Sequence, residues 1–458
     1  MELNLLRIPD KVKKLIIYTE PLIKTPFHDK IKAIFADFTA SGRPSPIIER
    51  YISENVLPYY SNTHSNSYTG IMMKNLVTET KKYIRETMNI DAHKKIIFNG
   101  SGTTSSINHL IHCLRLEDIK EVNIFLTAME HHSNYIPWVE LAKRSTNVKI
   151  HVIPIKDNFD ISIDELENKI KNTSEETVNI VTMTACSNVL GIQLDTKSVY
   201  NMLQKYNTCE CCYGKKNLLF VDYACSAPYV KIDGSLCDAI FFSPHKFLGG
   251  ISTPGVLIAN SELFKSKTPY EVGGNCIKKV SSTQISYDPD IEKKESAGTP
   301  NIIGIIKIKQ ILRLKEKMFP WIDHNEHEIA KYVFCQFKLL MDTHKNLQVI
   351  LPDCSIEKRL PIVCIDVKDV HYNLVTALLS DLFGILCRGG RSCSGILGEL
   401  LESKFKISNW CRITFNWTMD KMEIDYIISS VKYILENVDK YKDKYQYDEK
   451  TNLFNYKS

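Results

Sequence analysis

Between about residues 95 and 260 one pattern recurs: a short run of β-branched and aromatic residues, then a longer amphipathic stretch. The runs are KIIFN, VNIFLT, KIHVIPI, NIVTMT, LLFVD, AIFFS and GVLIAN. This alternation predicts an α/β unit whose central sheet is mostly parallel and wrapped by helices. From Ile302 the pattern changes to a long helical stretch, IIGIIKIKQILRLKEKMF, then the strand-like LQVIL and RLPIVCIDV, then a last helix, EIDYIISSVKYILENV. A smaller α+β domain follows from that order. The expected division is a large domain over 70–305, a small C-terminal domain over 306–458, and an N-terminal segment, 1–69, packing partly on the small domain. No internal repeat or linker rich in Gly, Ser or Pro sharpens these boundaries. The tail NVDKYKDKYQYDEKTNLFNYKS is polar and predicts a solvated, partly frayed end.

With 458 residues the chain is too long for one core, and 44% hydrophobic against 24% charged residues is ordinary for a globular protein. The net charge of +5 comes from 58 basic and 53 acidic residues mixed along the chain. It has no concentrated basic stripe, so nucleic acid is not an expected partner. No stretch approaches the roughly 18 apolar residues of a membrane span, and the N-terminus lacks a signal-peptide core, so neither membrane nor export is expected. A cytoplasmic location is the default. The 14 cysteines are scattered through apolar segments, as reduced and mostly buried thiols would be.

Ligands of open α/β sheets lie beyond the carboxyl ends of the strands, so residues following the apolar runs are read together. After KIIFN comes Gly100-Ser101-Gly102-Thr103-Thr104-Ser105-Ser106, then the apolar INHLIHCL. Glycines allowing close backbone approach, with hydroxyls at a helix start, suit a phosphate. A capped helix start alone reads equally well, and the third glycine of the dinucleotide fingerprint is absent. LLFVD ends in Asp222, and AIFFS leads into Ser243-Pro244-His245-Lys246-Phe247-Leu248-Gly249-Gly250. An amine that attacks a carbonyl must be available unprotonated, and a carboxylate beside a pyridine nitrogen keeps that ring protonated as an electron sink. Lys246 and Asp222, both at strand ends, answer those two needs.

VDYACSAP followed by FFSPHKFLGG resembles the lysine segment of the class V, fold-type I pyridoxal-phosphate enzymes, in particular their cysteine desulfurase and selenocysteine lyase branch. Further matches follow in the family's order: FADFTASGRPSP, YYSNTHSNSYTG, GSGTTSSIN, MEHHSNYIPW, SNVLG, ESAGTPN, RGGRSCSG and NWCRITFNW. They span roughly residues 35 to 435. The resemblance implies a fold-type I transferase holding pyridoxal 5'-phosphate as an imine on Lys246, with Asp222 at the pyridine nitrogen and His131 stacked on the ring as a potential acid or base. Asn188 would lie near the phenolic oxygen or the substrate. Gly102, Thr103, Thr104, Ser243 and His245 would form the phosphate site, with Thr299 reaching in from a second subunit of a homodimer. Arg412 would take the substrate carboxylate, and Arg388 and His64 stand with it on the substrate side. Cys393 matches the cysteine that takes sulfur from L-cysteine as a persulfide, for transfer to an acceptor protein. Glycines at 389, 390 and 395 would give its loop freedom, and Arg388 and Arg391 would favour a thiolate. An inert cysteine in a substrate loop is the other reading.

The chain departs from the pattern in places. Cys225 stands where the family often has a glutamine that donates to the phenolic oxygen; Ser226 or Asn188 would have to compensate. Only Gly273-Gly274 remains of a glycine-rich stretch, and CECCYGKKN precedes LLFVD like an insertion. Cys209, Cys211 and Cys212 lack a fourth metal ligand at usable spacing, and helix packing accounts for His109 and His112, so no metal is expected. Cysteine desulfuration leads. Another class V reaction, such as transamination or lyase chemistry on a different amino acid, and a catalytically inactive cofactor-binding scaffold are the rivals.

Overall fold

The apolar runs become the seven strands of the central sheet in a computed structural model that describes residues 2–207, 216–350 and 356–457. They are β1 (Lys94–Asn99), β2 (Glu121–Thr127), β3 (Val148–Ile153), β4 (Thr177–Thr184), β5 (Asn217–Asp222), β6 (Ala239–Phe242) and β7 (Gly255–Asn260). Their spatial order is β1-β7-β6-β5-β4-β2-β3. Only β7 runs against its neighbours in this mostly parallel α/β sheet. Every residue of β4, β5, β6 and β7 is buried, because helices cover both faces; continuous apolar runs are what such strands require. The edge strand β3 has half-exposed and exposed positions in its middle.

Three helices bear on the site. α1 is Tyr68–Thr87, α2 is Gly102–Leu114, and α3 is His132–Arg144, capped by the His131 side chain, which accepts from Ser133 N–H. α4 (Ile302–Thr343) is 42 residues long, ~63 Å at helical rise. Its first part buries Ile308, Ile311 and Leu312 against the central sheet. Its second part buries Ile329, Val333 and Phe337 in another core, so one helix fixes two sheets relative to each other.

The second core lies under an antiparallel sheet of β8 (Leu347–Val349), β9 (Ile362–Val367), β10 (Arg388–Gly389) and β11 (Cys411–Thr414), in the order β8-β9-β11-β10. Helices α5 (Tyr372–Phe383) and α7 (Lys421–Asn437) pack on it, and α6 (Gly395–Phe405) returns toward the large sheet through Leu397 and Leu401. The N-terminal segment is divided: Leu3, Ile34, Ala36 and Phe38 join the second core, and Ile48 joins the first.

The tail corrects an expectation. It is folded: Tyr445–Asp448 (β12) pairs with Leu453–Tyr456 (β13), and buried Tyr445 donates its hydroxyl to Asp381 at 2.7 Å. His371 of the small domain lies against Tyr447 and Phe454. The aromatic rings carry apolar area that a count of charged residues hides. Among the described residues no helix is long and apolar enough to cross a membrane. Ten described cysteines are free thiols. The CECC segment, with Cys209, Cys211 and Cys212, lies outside the described residues.

Candidate active site

The carboxyl ends of β1, β2, β4, β5 and β6 face the small domain across a cavity of about 190 Å³. The topology explains why distant motifs converge: parallel strands end on one side, so GSGTTSS, MEHHSN, SNVLG, VDYAC and SPHK all open onto the same space.

At one end of the cavity Gly102 begins α2 with φ +58°, and a Cβ there would sit 2.7 Å from Ser243 Oγ and 3.0 Å from His245 Cε1. Glycine alone fits this turn. Thr103 N–H donates to Ser243 Oγ at 3.0 Å, the Thr103 and Ser243 hydroxyls are 2.9 Å apart, and Thr104 shares a 2.7 Å hydrogen bond with Ser133. Thr103, Thr104, Ser243 and His245 line the cavity here, joined by Ser101 and Ser133, which sequence reasoning missed. Hydroxyls at a helix N-terminus form an environment for an anion.

Asp222 also lines the cavity, 2% exposed, with one oxygen accepting from Ala224 N–H at 2.8 Å. Burial pushes its carboxyl up to about 6, against the pull of that N–H and of Lys246. Lys246 lines the same cavity, and its ammonium has no hydrogen-bond partner among the described residues. Burial lowers its pKa, countered by Cys225 and Asp222. A partly buried amine held toward neutrality is the state a carbonyl electrophile needs. His131 closes another wall. Burial, then Lys246, pushes it down to about 3, so it is neutral; because Nδ1 accepts from Ser133 N–H at 3.1 Å, its proton sits on Nε2.

Arg412 is buried, 2% exposed, and lines the cavity. It donates to Asp37 at 2.8 Å and to the carbonyl of Asn188 at 3.1 Å, while its Nε has no partner among the described residues. Arg388 stands directly opposite it on β10 and pairs with the other oxygen of Asp37 at 3.7 Å. Asp37, in FADFTASG, is thus the hinge of the paired arginines; no sequence spacing signals a contact across 375 positions.

The loop between β10 and α6 carries Cys393, exposed, next to Ser392, which lines the cavity. Two expectations change here. Arg391 is engaged with Glu402 at 2.8 Å and the Ser408 carbonyl at 2.9 Å, and Arg388 with Asp37, so both guanidinium groups are paired elsewhere than at the thiol. Asn188 lines the cavity, yet its amide holds the loop: Nδ2 donates to the Ser392 carbonyl at 2.8 Å and Oδ1 accepts from Ser394 at 2.9 Å. Cys225 faces the cavity beside Cys186, whose thiol draws it down, while Ser226 Oγ is buried without a partner among the described residues and is not part of the lining.

His64 and Thr299 lie outside the cavity of their own chain. Asn62 donates to Thr299 Oγ1 at 3.2 Å, and His64 N–H donates to Asn62 Oδ1 at 2.9 Å, so the two motifs meet at an exposed site. His109 is buried between Asn99 Oδ1 at 2.6 Å and Glu295 at 2.9 Å. His109, Glu295 and Cys113 form one group of metal-ligand type among the described residues. Lys294, 3.2 Å from Glu295 Oε1, already supplies a cation there.

The family model for aminotransferase class-V matches residues 34–427. A probable cysteine desulfurase of Borreliella burgdorferi is 27% identical over 91% of this chain and 95% of its own length. One of Staphylococcus epidermidis is 28% identical over 92% and 97%. Among solved structures, a cysteine desulfurase from Thermococcus onnurineus superposes with a TM-score of 0.77 at 24% identity, covering 94% of this chain and 99% of that one. One from Escherichia coli gives 0.72 at 21% identity, covering 88% and 95%. These structures share the fold over most of the chain; the sequence match extends from the segment holding Asp37 to α7, and the chain belongs to the aminotransferase class-V family.

Proposed function

We propose that the protein is a pyridoxal-phosphate-dependent cysteine desulfurase, which converts L-cysteine to L-alanine and leaves the sulfur on Cys393 as a persulfide. The observation that carries this reading is a cavity where an amine with no hydrogen-bond partner among the described residues, a buried carboxylate and a buried arginine meet, with a thiol beside its rim. The residues fit the cofactor: a helix start ringed by hydroxyls, which a Cβ at Gly102 would fill, suits the phosphate; Asp222 suits a protonated ring nitrogen; Lys246 suits the aldehyde carbon. Pyridoxal phosphate supplies an electrophilic carbon and a ring that withdraws electrons.

The chain's own residues do the rest. Arg412, held by Asp37 and Asn188, lines the cavity, and its planar guanidinium suits the carboxylate of the amino acid. Lys246, biased toward the neutral amine, takes the proton from the substrate Cα and returns one later. Asp222, once beside a cation, is drawn back toward the carboxylate it needs to be. Neutral His131 lines the cavity and carries its proton on Nε2. The Cys393 thiolate attacks the substrate sulfur: an S–S bond forms, the Cβ–S bond breaks, and its electron pair ends in a C–H bond of alanine. A thiol of an acceptor protein then removes the terminal sulfur.

The reading includes a homodimer. Thr299 and His64, exposed together and bridged through Asn62, are proposed to complete the site of a second copy. Cys393→Ser tests the sulfur step. Sulfide release from L-cysteine with dithiothreitol present should fall by about 100-fold or more, while the spectral response to L-cysteine persists. Release at the parental rate would contradict the persulfide.

A further inference from the structure

Two adjacent histidines follow β2, and the proposed chemistry uses only the first. The second, His132, is joined to the Cys393 loop at two points. Its backbone N–H donates to the carbonyl of Cys393 at 2.8 Å, and its Nε2 accepts from Gly395 N–H at 3.0 Å. These bonds bracket the thiol, one on its own residue and one two residues later. We propose that His132 is the latch of the Cys393 loop, a positioning residue that fixes where the thiol stands relative to the cavity. This rests on the reading of Cys393 as the sulfur acceptor.

The loop needs holding. Ser392 and Cys393 both have left-handed backbones, φ 52° and 56°, which side-chain-bearing residues seldom adopt without external restraint. Restraint comes from three sides. Asn188 grips Ser392 and Ser394, Trp410 Nε1 donates to Ser392 Oγ at 3.1 Å, and His132 holds Cys393 and Gly395. Asn188 also gives its carbonyl to Arg412, and His132 is continuous with His131. Both clasps therefore belong to segments that line the cavity, and whatever occupies Arg412 and His131 bears on the loop through its fastenings. The imidazole is suited to its part: burial lowers its pKa, keeping the Nε2 lone pair available as an acceptor. Gly395 is matched to it, since a Cβ there would stand 3.0 Å from His132 Nε2.

The test compares His132→Phe, which has no acceptor, with His132→Gln, whose amide oxygen can accept from Gly395. Gly395→Ala, which presses on the imidazole from the other side, is the second route. Amide hydrogen exchange across residues 392–396 is followed by mass spectrometry on full-length protein without substrate, with melting curves to establish that each variant is folded. Losing one such bond should speed exchange of this segment about 2- to 10-fold in His132→Phe and Gly395→Ala, and His132→Gln should return within about 2-fold of the parent. In sulfide release from L-cysteine, His132→Phe should lower kcat with KM little changed, and His132→Gln should recover it. Parental exchange in His132→Phe or Gly395→Ala would overturn the latch. So would exchange in His132→Gln as fast as in His132→Phe, because shape and not the accepted hydrogen bond would then hold the loop. Exchange involves no sulfur chemistry, so the latch can fail while desulfuration stands, and undiminished sulfide release by Cys393→Ser would remove the desulfurase reading without altering the exchange result.

Discussion

At the scale of single residues the site is a set of charges kept from pairing in the ordinary way. Lys246 has a carboxylate in its field, Asp222, but no hydrogen-bonded partner among the described residues. Asp222 is buried with one N–H for company. Asp222→Asn should retain the protein fold and lose sulfide release by about 100-fold or more, because an amide cannot keep a ring nitrogen protonated. Side-by-side absorption spectra and rates on L-cysteine check this. Arg412 is fixed by Asp37 and by the Asn188 carbonyl, with Nε unpartnered among the described residues. Arg412→Lys, which keeps the charge and loses the fork, should raise KM for L-cysteine about 10- to 100-fold. Steady-state kinetics would contradict this by showing an unchanged KM.

At the scale of elements the N-terminus of α2 and the loop between β10 and α6 position the chemistry. Gly102→Ala requires φ +58° of an alanine and puts a methyl 2.7 Å from Ser243 Oγ. It should weaken pyridoxal phosphate binding about 10-fold or more and cost about 1 kcal/mol of stability, read by cofactor titration and thermal melting. The elements also show what the sequence could carry. The strand ends of Asp222 and Lys246 were legible because β5 and β6 are short, buried and parallel, so their C-terminal residues had to share one side. The pairing of Arg388 with Arg412 was not, since it depends on the antiparallel register of β10 with β11, and Asp37 joins them from a segment more than 350 positions away. Asn188 and Arg391 were read by residue type, yet their partners are loop atoms whose positions only the tertiary fold sets. The tail was misread because polarity outweighed its tyrosines. Deleting residues 445–458 should cost about 3 kcal/mol or more through loss of buried Tyr445 and its Asp381 bond, visible as a lowered Tm.

At the scale of the molecule two cores are bridged by α4, which passes Glu326 through the interior where it accepts from Trp417 N–H at 2.7 Å. Burial pushes this carboxyl up to about 8. In the unfolded chain it titrates near 4.3, so between these values the folded state holds a proton that the unfolded state has released, and stability falls as pH rises across that window. Glu326→Gln keeps an acceptor without the titration. Its Tm should match the parent near pH 4 and exceed it increasingly toward pH 8; a constant offset would contradict the assignment. The large sheet brings its strand ends, and the small domain its arginines, to one cavity with the Cys393 thiol beside it, and the proposed chemistry depends on that meeting. The most direct test is an absorption spectrum of the protein reconstituted with pyridoxal phosphate, before and after L-cysteine, with sulfide and alanine assayed in the same tube. A visible band lost in Lys246→Ala, shifting with L-cysteine and accompanied by equal amounts of both products, is the predicted result. A protein that takes up no cofactor, or binds it and forms neither product from L-cysteine, would contradict the account.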